Sequence, residues 1–577
     1  MKRVAETCIL MLLCILLYSG NTVHALVYDY SATTKCLEEP QIAHYEGGLI
    51  VNPEFNHRIE GQTVFGQGAI REVTRKEGNV FTVAHSRTRS LDSFSQKVQL
   101  EKGMFYSFSA WVQISEGSET LTAVFKTSDG KLIPAGKVLA KDGCWSLLKA
   151  GLVANFTGLA EILLQSKNTR AEIWATRISL QTFTKEQWRS HQEKSINKVR
   201  KRKVKFWLTN ANKTALEGAT VSIKQIKSGF PFGCGMNHNI LTSTDYQNWF
   251  ASRFKFTTFT NEMKWYSTEK KQGEENYTIA DAMVNFAKQN GISIRGHNII
   301  WDNPIQQPRW VKVLSRKELR KAAVKRINSL TSRYAGQLIA WDVMNENLHF
   351  SFYEDKLGKN ASAEFYRRAH QLDPNTTMFL NEYNTIEFAG DKKANAANYK
   401  KKIDEIMLYP GNEDISLGIG LQGHFHSDQP NIAYMRSTLD ILGSIGLPIW
   451  LTEICVDNGP NKSKALEEIL REGYSHPAVK GIIMFTGPER AGFKVMPLAD
   501  KDFKNTPAGD VVDKLLDEWK SGTLKTTTDE GGFSEASLFH GDYNVTVKHS
   551  VTNALISFSL KVTEDLPRGK VHVQIDA

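Results

Sequence analysis

The sequence predicts an α/β protein whose largest part is a (β/α)8 TIM barrel, a ring of eight parallel strands each followed by a helix. Eight short apolar runs between residues 231 and 520 alternate with amphipathic segments that are typical of helices. Polar residues follow nearly every apolar run, and barrel enzymes build their active sites at that end of the strands. A doubly wound open sheet has the same periodicity and is the alternative. The polar strand ends favour the barrel.

The chain begins with the pattern of a signal peptide over residues 1–25. Lys2 and Arg3 precede an apolar run at residues 8–18, and Val23-His-Ala25 offers a small-residue cleavage site. The run is shorter than the roughly 20 residues that span a bilayer, so we expect a secreted, extracellular protein without a membrane partner. Sequons of the form Asn-x-Ser/Thr agree with secretion; they lie at Asn155, Asn212, Asn276, Asn360, Asn375, Asn461 and Asn544.

Length, charge and cysteine content narrow the class further. A chain of 577 residues with 41% hydrophobic content predicts a globular protein of two or three domains. The net charge of +10 is concentrated in part at residues 198–203, a run typical of a solvated helix end, so we expect no nucleic-acid partner. After loss of the leader, Cys36, Cys144, Cys234 and Cys455 remain. They allow three full pairings, among which the sequence does not choose.

Residues 40–183 predict a β-sandwich with a jelly-roll-like arrangement. Short alternating runs are separated by Gly, Asp and Asn turns; they include residues 97–100, 106–111, 121–125 and 171–174. Thr127-Ser-Asp-Gly130 is a hairpin signal between two of the predicted strands. Trp111, Trp145 and Trp174 are expected in its core rather than on a sugar-binding face.

Two β-like pieces flank the barrel, at residues 203–225 and 525–577. Each contains too few strands to be stable alone. We therefore expect them to pair into one small additional β-sandwich, with the barrel of residues 231–520 inserted between them.

The barrel elements follow from local signals. Ser315-Arg-Lys-Glu318 is a capping box that predicts the start of a helix, whose apolar face then recurs every three or four residues from Leu319 to Tyr334. The predicted buried strands end near Asn237, Asn261, His297, Glu346, Tyr383, His424, Glu453 and Phe485.

Two of these strand ends carry the chemistry. The segments at residues 341–347 and 448–453 are apolar runs that place Glu346 and Glu453 at the ends of different strands. A retaining glycosidase needs one carboxyl group that protonates the leaving oxygen and one ionised carboxylate that attacks the sugar. We assign Glu346 as the acid/base and Glu453 as the nucleophile. Asn345 precedes the first, and His424 ends a strand near the second.

At these motifs the sequence resembles the family ten xylanases, retaining glycoside hydrolases, especially plant members with an N-terminal carbohydrate-binding module of family twenty-two. The resemblance is carried by six motifs in order: Asn261-Glu-Met-Lys264-Trp, residues 295–301, Trp341 to Asn347, residues 381–384, Gln422-Gly-His424 and Leu451-Thr-Glu453. It implies an endo-1,4-β-xylanase of the cell wall that acts on xylan or a related β-1,4-linked polysaccharide. No cofactor and no metal are implied, and we expect a monomer.

The resemblance also implies roles for individual residues. Glu346 and Glu453 match the catalytic pair, and Tyr383 matches a contact on the aglycone side. The remaining predicted substrate-binding residues are Asn261, Lys264, His297, Trp301, Asn345, Gln422, His424 and Phe485. Amide, imidazole and ammonium groups of this kind bind the hydroxyls of xylose, and aromatic faces stack on the xylose ring.

Four residues depart from the family pattern. Thr260 replaces a glutamate that binds the distal sugar, and Cys455 replaces an aspartate that holds His424. Phe485 and Pro488 stand where plant relatives have tryptophans. In the N-terminal module, Leu91 and Gln165 replace an aromatic residue and an acid used for sugar contact.

Three alternatives remain open at this stage. The covalent intermediate can be passed to a sugar instead of water, which makes a xylan transglycosylase. The four departures make a xylan-binding protein with weak or lost hydrolytic activity the second alternative. The third is a barrel metallohydrolase, suggested by His424-Phe-His426 and His297, although no carboxylate-rich surround is evident.

Overall fold

The computed structural model describes residues 27–42, 47–54, 60–74, 80–549, 554–566 and 569–575. The predicted signal peptide lies outside the described residues. Among the described residues no helix combines the length and the apolar character needed to cross a membrane.

The N-terminal module is a sandwich of two antiparallel five-stranded sheets. Its strands are β1 Thr63–Phe65, β2 Ala69–Thr74, β3 Val80–His85, β4 Ser93–Leu100, β5 Phe105–Ile114, β6 Ser118–Thr127, β7 Leu132–Lys141, β8 Ser146–Val153, β9 Gly158–Gln165 and β10 Ile173–Phe183. The sheet orders are β1-β4-β9-β6-β7 and β2-β3-β10-β5-β8. The predicted hairpin joins β6 to β7, with Gly130 at φ +85°. A disulfide between Cys36 and Cys144 ties the entering segment to this module.

Helix α1 Lys185–Val199 leaves the module and leads to β11 Lys201–Asn210 and β12 Thr220–Ser228. The basic run of residues 198–203 therefore spans the end of α1 and the start of β11.

The barrel follows. Its strands are β13 Phe232–Met236, β14 Phe256–Phe259, β15 Ser293–Trp301, β16 Ala340–Asn345, β17 Thr377–Glu382, β18 Leu417–Leu421 with its short continuation β19 His424–Phe425, β20 Ile449–Val456 and β21 Val479–Met484. All neighbours pair in parallel, β21 pairs with β13, and β18 pairs with both β17 and β20, so the ring is closed. The predicted barrel is confirmed, and the open-sheet alternative is wrong because both edges of an open sheet would lack a partner.

The helices cover the outside of the ring. They are α2 Thr244–Ala251, α3 Trp265–Thr268, α4 Thr278–Gln289, α5 Arg309–Lys312, α6 Arg316–Tyr334, α7 Phe352–Leu357, α8 Ala361–Leu372, α9 Ala396–Met407, α10 Ile432–Gly443, α11 Lys462–Ser475 and α12 Pro507–Glu518. The capping box at the start of α6 is present: Ser315 and Glu318 each accept a hydrogen bond from the other's backbone N–H. The predicted apolar face of α6 is buried.

The flanking segments form the predicted small sandwich. It is completed by β22 Thr523–Thr527, β23 Phe533–Phe539, β24 Gly541–His549, β25 Ala554–Val562 and β26 Gly569–Ile575. Strand β11 pairs with β23 and β26, and β12 pairs with β22 and β24. Its core joins Val204, Phe206 and Leu208 of one sheet to Val221 and Val545 of the other.

The module is fused to the barrel through α10. Gly151 on β8 lies so close to the helix that a Cβ there would be 2.1 Å from the Ala433 backbone. Beside it, Lys149 Nζ lies 2.7 Å from Asp440 Oδ2 in a salt bridge whose side chains are 1% and 4% exposed. The module is therefore held by a packed and charged interface rather than by a linker alone.

Candidate active site

The two predicted catalytic glutamates lie at the same end of the barrel. Glu346 follows β16 directly, and Glu453 lies within β20. They are 8% and 5% exposed. Glu346 has φ +61°, a left-handed conformation that is uncommon for residues with a side chain, and its N–H donates to the Asn381 carbonyl at 2.9 Å. A strained backbone at a carboxylate in an active-site position is typical of a functional constraint.

Glu453 is surrounded by donors and positive charge. Asn381 Nδ2 donates to its Oε1 at 2.8 Å, His424 Nε2 lies 3.2 Å from its Oε2, and His297 Nε2 lies 3.9 Å from Oε1. Burial alone would raise the pKa of Glu453. The charge of His297, the hydrogen bond from His424 and the Lys264 ammonium outweigh burial and hold this pKa well below its ordinary value. Glu453 is therefore an ionised carboxylate at neutral pH.

Glu346 is displaced in the opposite direction. Burial and the nearby charges of Glu382 and Glu453 raise its pKa to about 7. A carboxyl group of this kind keeps its proton up to about pH 7 and can donate it to a leaving oxygen. One carboxyl group with a raised pKa and one ionised carboxylate thus share the site.

The two histidines near Glu453 are held by different partners. His297 Nδ1 lies 2.9 Å from Asp342 Oδ2, and Arg295 donates to the other oxygen of Asp342 at 2.7 Å. His424 Nδ1 lies 2.9 Å from Cys455 Sγ. A thiol therefore takes the place beside His424 at which the family resemblance implies a carboxylate.

An amide network that sequence reasoning missed connects the two catalytic strands. Asn381 on β17 donates through Nδ2 to Asn345 Oδ1 at 2.9 Å as well as to Glu453, and Gln422 Nε2 approaches the same Asn345 oxygen at 3.4 Å. Thr452 Oγ1 donates to Asn381 Oδ1 at 2.5 Å, which fixes the orientation of the amide. Asn381 begins one of the six motifs, so its place there was the available signal.

Aromatic and cationic groups line the rest of the site. Lys264 Nζ lies 4.5 Å from the ring centre of Trp301 and 5.9 Å from that of Phe485. The Phe485 ring stands edge-on to His297 and His424, at 6.2 and 6.0 Å between ring centres. Burial lowers the pKa of Lys264, although the catalytic carboxylates oppose this effect.

Tyr383 and Asn261 lie toward the edges. Tyr383 stacks on His349 at 3.8 Å, and its pKa is raised by burial and by the charge of Glu346. His349 in turn lies 2.6 Å from Glu382. Asn261 is exposed and accepts a hydrogen bond from Tyr266 at 2.7 Å; no described contact joins its side chain to the catalytic pair. The structure thus brings the predicted residues together around the glutamates, with Asn261 outside their direct contacts.

The histidine pair behind the metallohydrolase alternative is divided between two environments. His424 faces Glu453 and Cys455, whereas His426 is exposed and lies 2.7 Å from Asp457. In the part of the chain that the structure describes, no group of three or more His, Cys, Asp or Glu side chains could hold a metal ion.

Known proteins resemble this chain over much or nearly all of its length. The sequence model described as Glycosyl hydrolase family 10 matches residues 222–486. Endo-1,4-beta-xylanase 5 of Arabidopsis thaliana is 46% identical over 99% of this chain and 98% of its own length. Endo-1,4-beta-xylanase 4 of the same plant is 44% identical over 96% of this chain and 95% of its own. Among solved structures, xylanase 10B from Thermotoga petrophila in complex with xylobiose matches 50% of this chain and 94% of its own at 23% identity and a TM-score of 0.45.

Proposed function

The chain belongs to glycosyl hydrolase family 10, and from this premise we propose that it is a secreted endo-1,4-β-xylanase of the cell wall that hydrolyses xylan with net retention. The observation that carries the proposal is the opposite displacement of the two glutamate pKa values. Glu346 keeps its proton near neutral pH, and Glu453 does not.

In the first step, Glu453 attacks the anomeric carbon while Glu346 gives its proton to the leaving glycosidic oxygen. The new bond joins a Glu453 oxygen to the sugar, and the departing chain leaves as a neutral alcohol. Asn381 and His424 each hold one oxygen of Glu453, so the carboxylate meets the sugar in a fixed orientation.

In the second step, Glu346, now ionised, removes a proton from water, and the water oxygen displaces Glu453 from the anomeric carbon. Glu346 regains its proton and Glu453 its charge. Two inversions at one carbon give net retention. Asn345, whose amide oxygen accepts a hydrogen bond from Asn381, binds a hydroxyl of the sugar that carries the reacting carbon in this proposal.

Secretion is supported by the leader pattern, the sequons and the disulfide between Cys36 and Cys144, because disulfides persist in oxidising compartments. The two-sheet form of the N-terminal module supports its assignment as a carbohydrate-binding module of family 22. In that module Arg71 forms a two-pronged ion pair with Glu172, which also accepts a hydrogen bond from Trp174.

A mechanism-based fluorinated xylobioside tests the proposed function. The loss of activity should follow the attachment of one label per enzyme molecule. Peptide mass spectrometry should then locate that label on Glu453. The Glu453→Gln variant should remain unlabelled. Labelling of another residue, or no release of reducing sugar from xylan by the parent enzyme, would refute the assignment.

A further inference from the structure

A cleft of about 750 Å³ lies where the N-terminal module meets the barrel. One wall is formed by module residues around Leu132 and Asn155, and the other by the loops that follow β17, β19 and β20. The walls are fixed to each other: Val153 N–H donates to Asn431 Oδ1 at 3.0 Å, and Asn431 Nδ2 donates to the Gly151 carbonyl at 3.1 Å. Loops that follow barrel strands surround the active site, so the cleft borders the catalytic end of the barrel.

One loop connects the cleft to the active site directly. Glu387, after β17, accepts hydrogen bonds from the N–H groups of Gly423 and His424 at 2.8 and 3.0 Å. The next residue, Phe388, lines the cleft. Tyr383, at the start of the same loop, lies close enough to Glu346 for that charge to raise its pKa. The loop after β17 therefore joins the backbone beside His424 to the wall of the cleft.

The cleft presents apolar surface of the kind that sugar rings contact. Phe388 is 57% exposed, and Leu132 on the module wall is 40% exposed. The Phe388 ring lies against Gly390 so closely that a Cβ on the glycine would be 2.4 Å from it. The glycine leaves room for the ring to lie across its own loop, where more than half of the side chain stays exposed.

The charge of the cleft favours an anion. Lys102, Lys131 and Lys464 are exposed, and none of the three is in a salt bridge with any residue that the structure describes. The carboxylates of the cleft are already engaged. Glu468 pairs with Lys185 at 2.5 Å, and Asp428 accepts the Asn461 N–H at 2.6 Å. Over the whole lining, four lysines (Lys102, Lys131, Lys185 and Lys464) face three carboxylates (Glu387, Asp428 and Glu468), so the cleft carries an excess of one positive charge that attracts an acidic ligand.

We propose that this cleft is a second polysaccharide-binding site, which takes the part of a uronic-acid-substituted β-1,4-xylan chain that extends beyond the active site. Phe388 stacks on the polymer backbone, and Lys131 and Lys464 bind its carboxylates. The proposal rests on the proposed function, since it names a substrate class for the same enzyme. The module thereby contributes to substrate choice through its position beside the barrel.

The test compares three substrates: an aryl xylobioside too short to reach the cleft, glucuronoxylan, and the same xylan after reduction of its carboxyl groups. Phe388→Ala should raise KM about fivefold to tenfold on both polymers, since stacking contributes on the order of one power of ten in affinity. The Lys131→Gln/Lys464→Gln variant should raise KM about twofold to fivefold on glucuronoxylan alone, an effect that high salt removes. Neither change should alter kcat/KM on the aryl xylobioside.

Controls and a direct binding measurement separate this proposal from the proposed function. Lys97→Gln, on an exposed site of the module outside the cleft, and Leu408→Ala, on an exposed site of the barrel, should leave every KM unchanged. Calorimetric titration of glucuronoxylan into the Glu453→Gln protein should show weaker binding when Phe388→Ala is added. This result holds even if the parent enzyme fails to hydrolyse the aryl xylobioside, an outcome that would refute the proposed function instead.

Equal KM values for parent and Phe388→Ala on both polymers, with equal binding in the Glu453→Gln background, would overturn the proposal. Equal values are expected if the cleft binds no polysaccharide. They are also expected if N-linked glycans of the chain itself fill the cleft, because the sequon residues Asn155 and Asn461 line it. A raised KM for the lysine variant on carboxyl-reduced xylan would overturn the acidic part of the assignment.

Discussion

The contact between Cys455 and His424 is the feature on which activity can be tested most directly. His424 bridges Cys455 Sγ, at 2.9 Å from Nδ1, and the nucleophile Glu453, at 3.2 Å from Nε2. Burial alone would lower the pKa of His424, but the contacts with Cys455 and Glu453 outweigh it and raise this pKa well above its ordinary value. The carboxylate of Glu387 also lies beside this residue and accepts the His424 backbone N–H.

Cys455→Ala should remove the partner of Nδ1 and leave that nitrogen without a hydrogen bond. The His424 side chain is 28% exposed, so loss of this hydrogen bond should cost about 0.5–1.5 kcal/mol, which corresponds to a loss of about twofold to tenfold in kcat/KM if the bond is needed in the transition state. With less positive charge on His424, the pKa of Glu453 should rise. The acid limb of the kcat/KM profile should therefore move to higher pH, while folding stability changes little at neutral pH.

The measurement is kcat/KM for an aryl xylobioside across the pH range, for Cys455→Ala, Cys455→Ser and Cys455→Asp. A serine hydroxyl retains a partner for Nδ1 and should recover most of the activity. Aspartate should recover it fully, because a carboxylate accepts a stronger, charge-assisted bond. If alanine and aspartate both matched the parent in rate and in the position of the acid limb, Cys455 would have no part in positioning His424.

Three further predictions concern the acid, the module interface and the disulfide. Because the pKa of Glu346 is raised to about 7, kcat/KM should fall as the pH rises through that value, and Glu346→Gln should abolish this limb with a loss of about 10²–10⁴-fold on xylan. Lys149→Ala should remove one partner of buried Asp440, which keeps Arg436, and lower the free energy of unfolding, measured by chemical denaturation, by about 1.5–3 kcal/mol. Reduction of Cys36–Cys144, which closes a loop of 108 residues, should lower Tm in a thermal scan, since a cross-link of that span contributes about 4–5 kcal/mol.

The pH dependence of the Lys149 effect has a definite sign. Burial would raise the pKa of Asp440, but Lys149 and Arg436 outweigh it and lower this pKa. The pair therefore contributes stability above the ordinary carboxyl pKa of about 4, and that stability is lost as the pH falls further. In Lys149→Ala, the free energy of unfolding should therefore fall less than in the parent as the pH decreases. The exposed control Lys97→Ala should stay within about 0.5 kcal/mol of the parent. A persistent alkaline limb in Glu346→Gln, or a Tm insensitive to reductant, would contradict the other two predictions.

Much of the fold was predictable because its signals are local. The alternation of apolar runs with amphipathic segments predicted the number of barrel strands, eight. The capping box at Ser315 predicted the start of α6. The location of Glu346 and Glu453 at one end of the barrel was predictable for the same reason, since each follows an apolar run, although β20 continues past Glu453 to Val456. The pairing of the flanking segments followed from strand number alone, because neither piece could be stable by itself.

The contacts that hold the site could not be derived in this way. Asn381 reaches both Asn345 and Glu453 only because β17 lies beside β16 and its side chain crosses the inside of the closed ring. The salt bridge between Lys149 and Asp440 joins residues 291 positions apart, on surfaces that meet only when two domains dock. Neither relation leaves a periodic pattern in the sequence.

The difference between the two glutamates follows from their neighbours rather than from burial. Glu346 and Glu453 are buried to similar extents, so burial raises the pKa of both, yet the net displacements are opposite. Glu346 faces the charges of Glu382 and Glu453, whereas Glu453 faces two histidines and a lysine. Glu382→Gln should therefore lower the pKa of Glu346 and move the alkaline limb of kcat/KM below about pH 7. The retained partner of His349, Asp391 at 3.1 Å, keeps that imidazole in place. An alkaline limb that stays where it is in the parent would show that the charge of Glu382 has no part in setting the pKa of the acid.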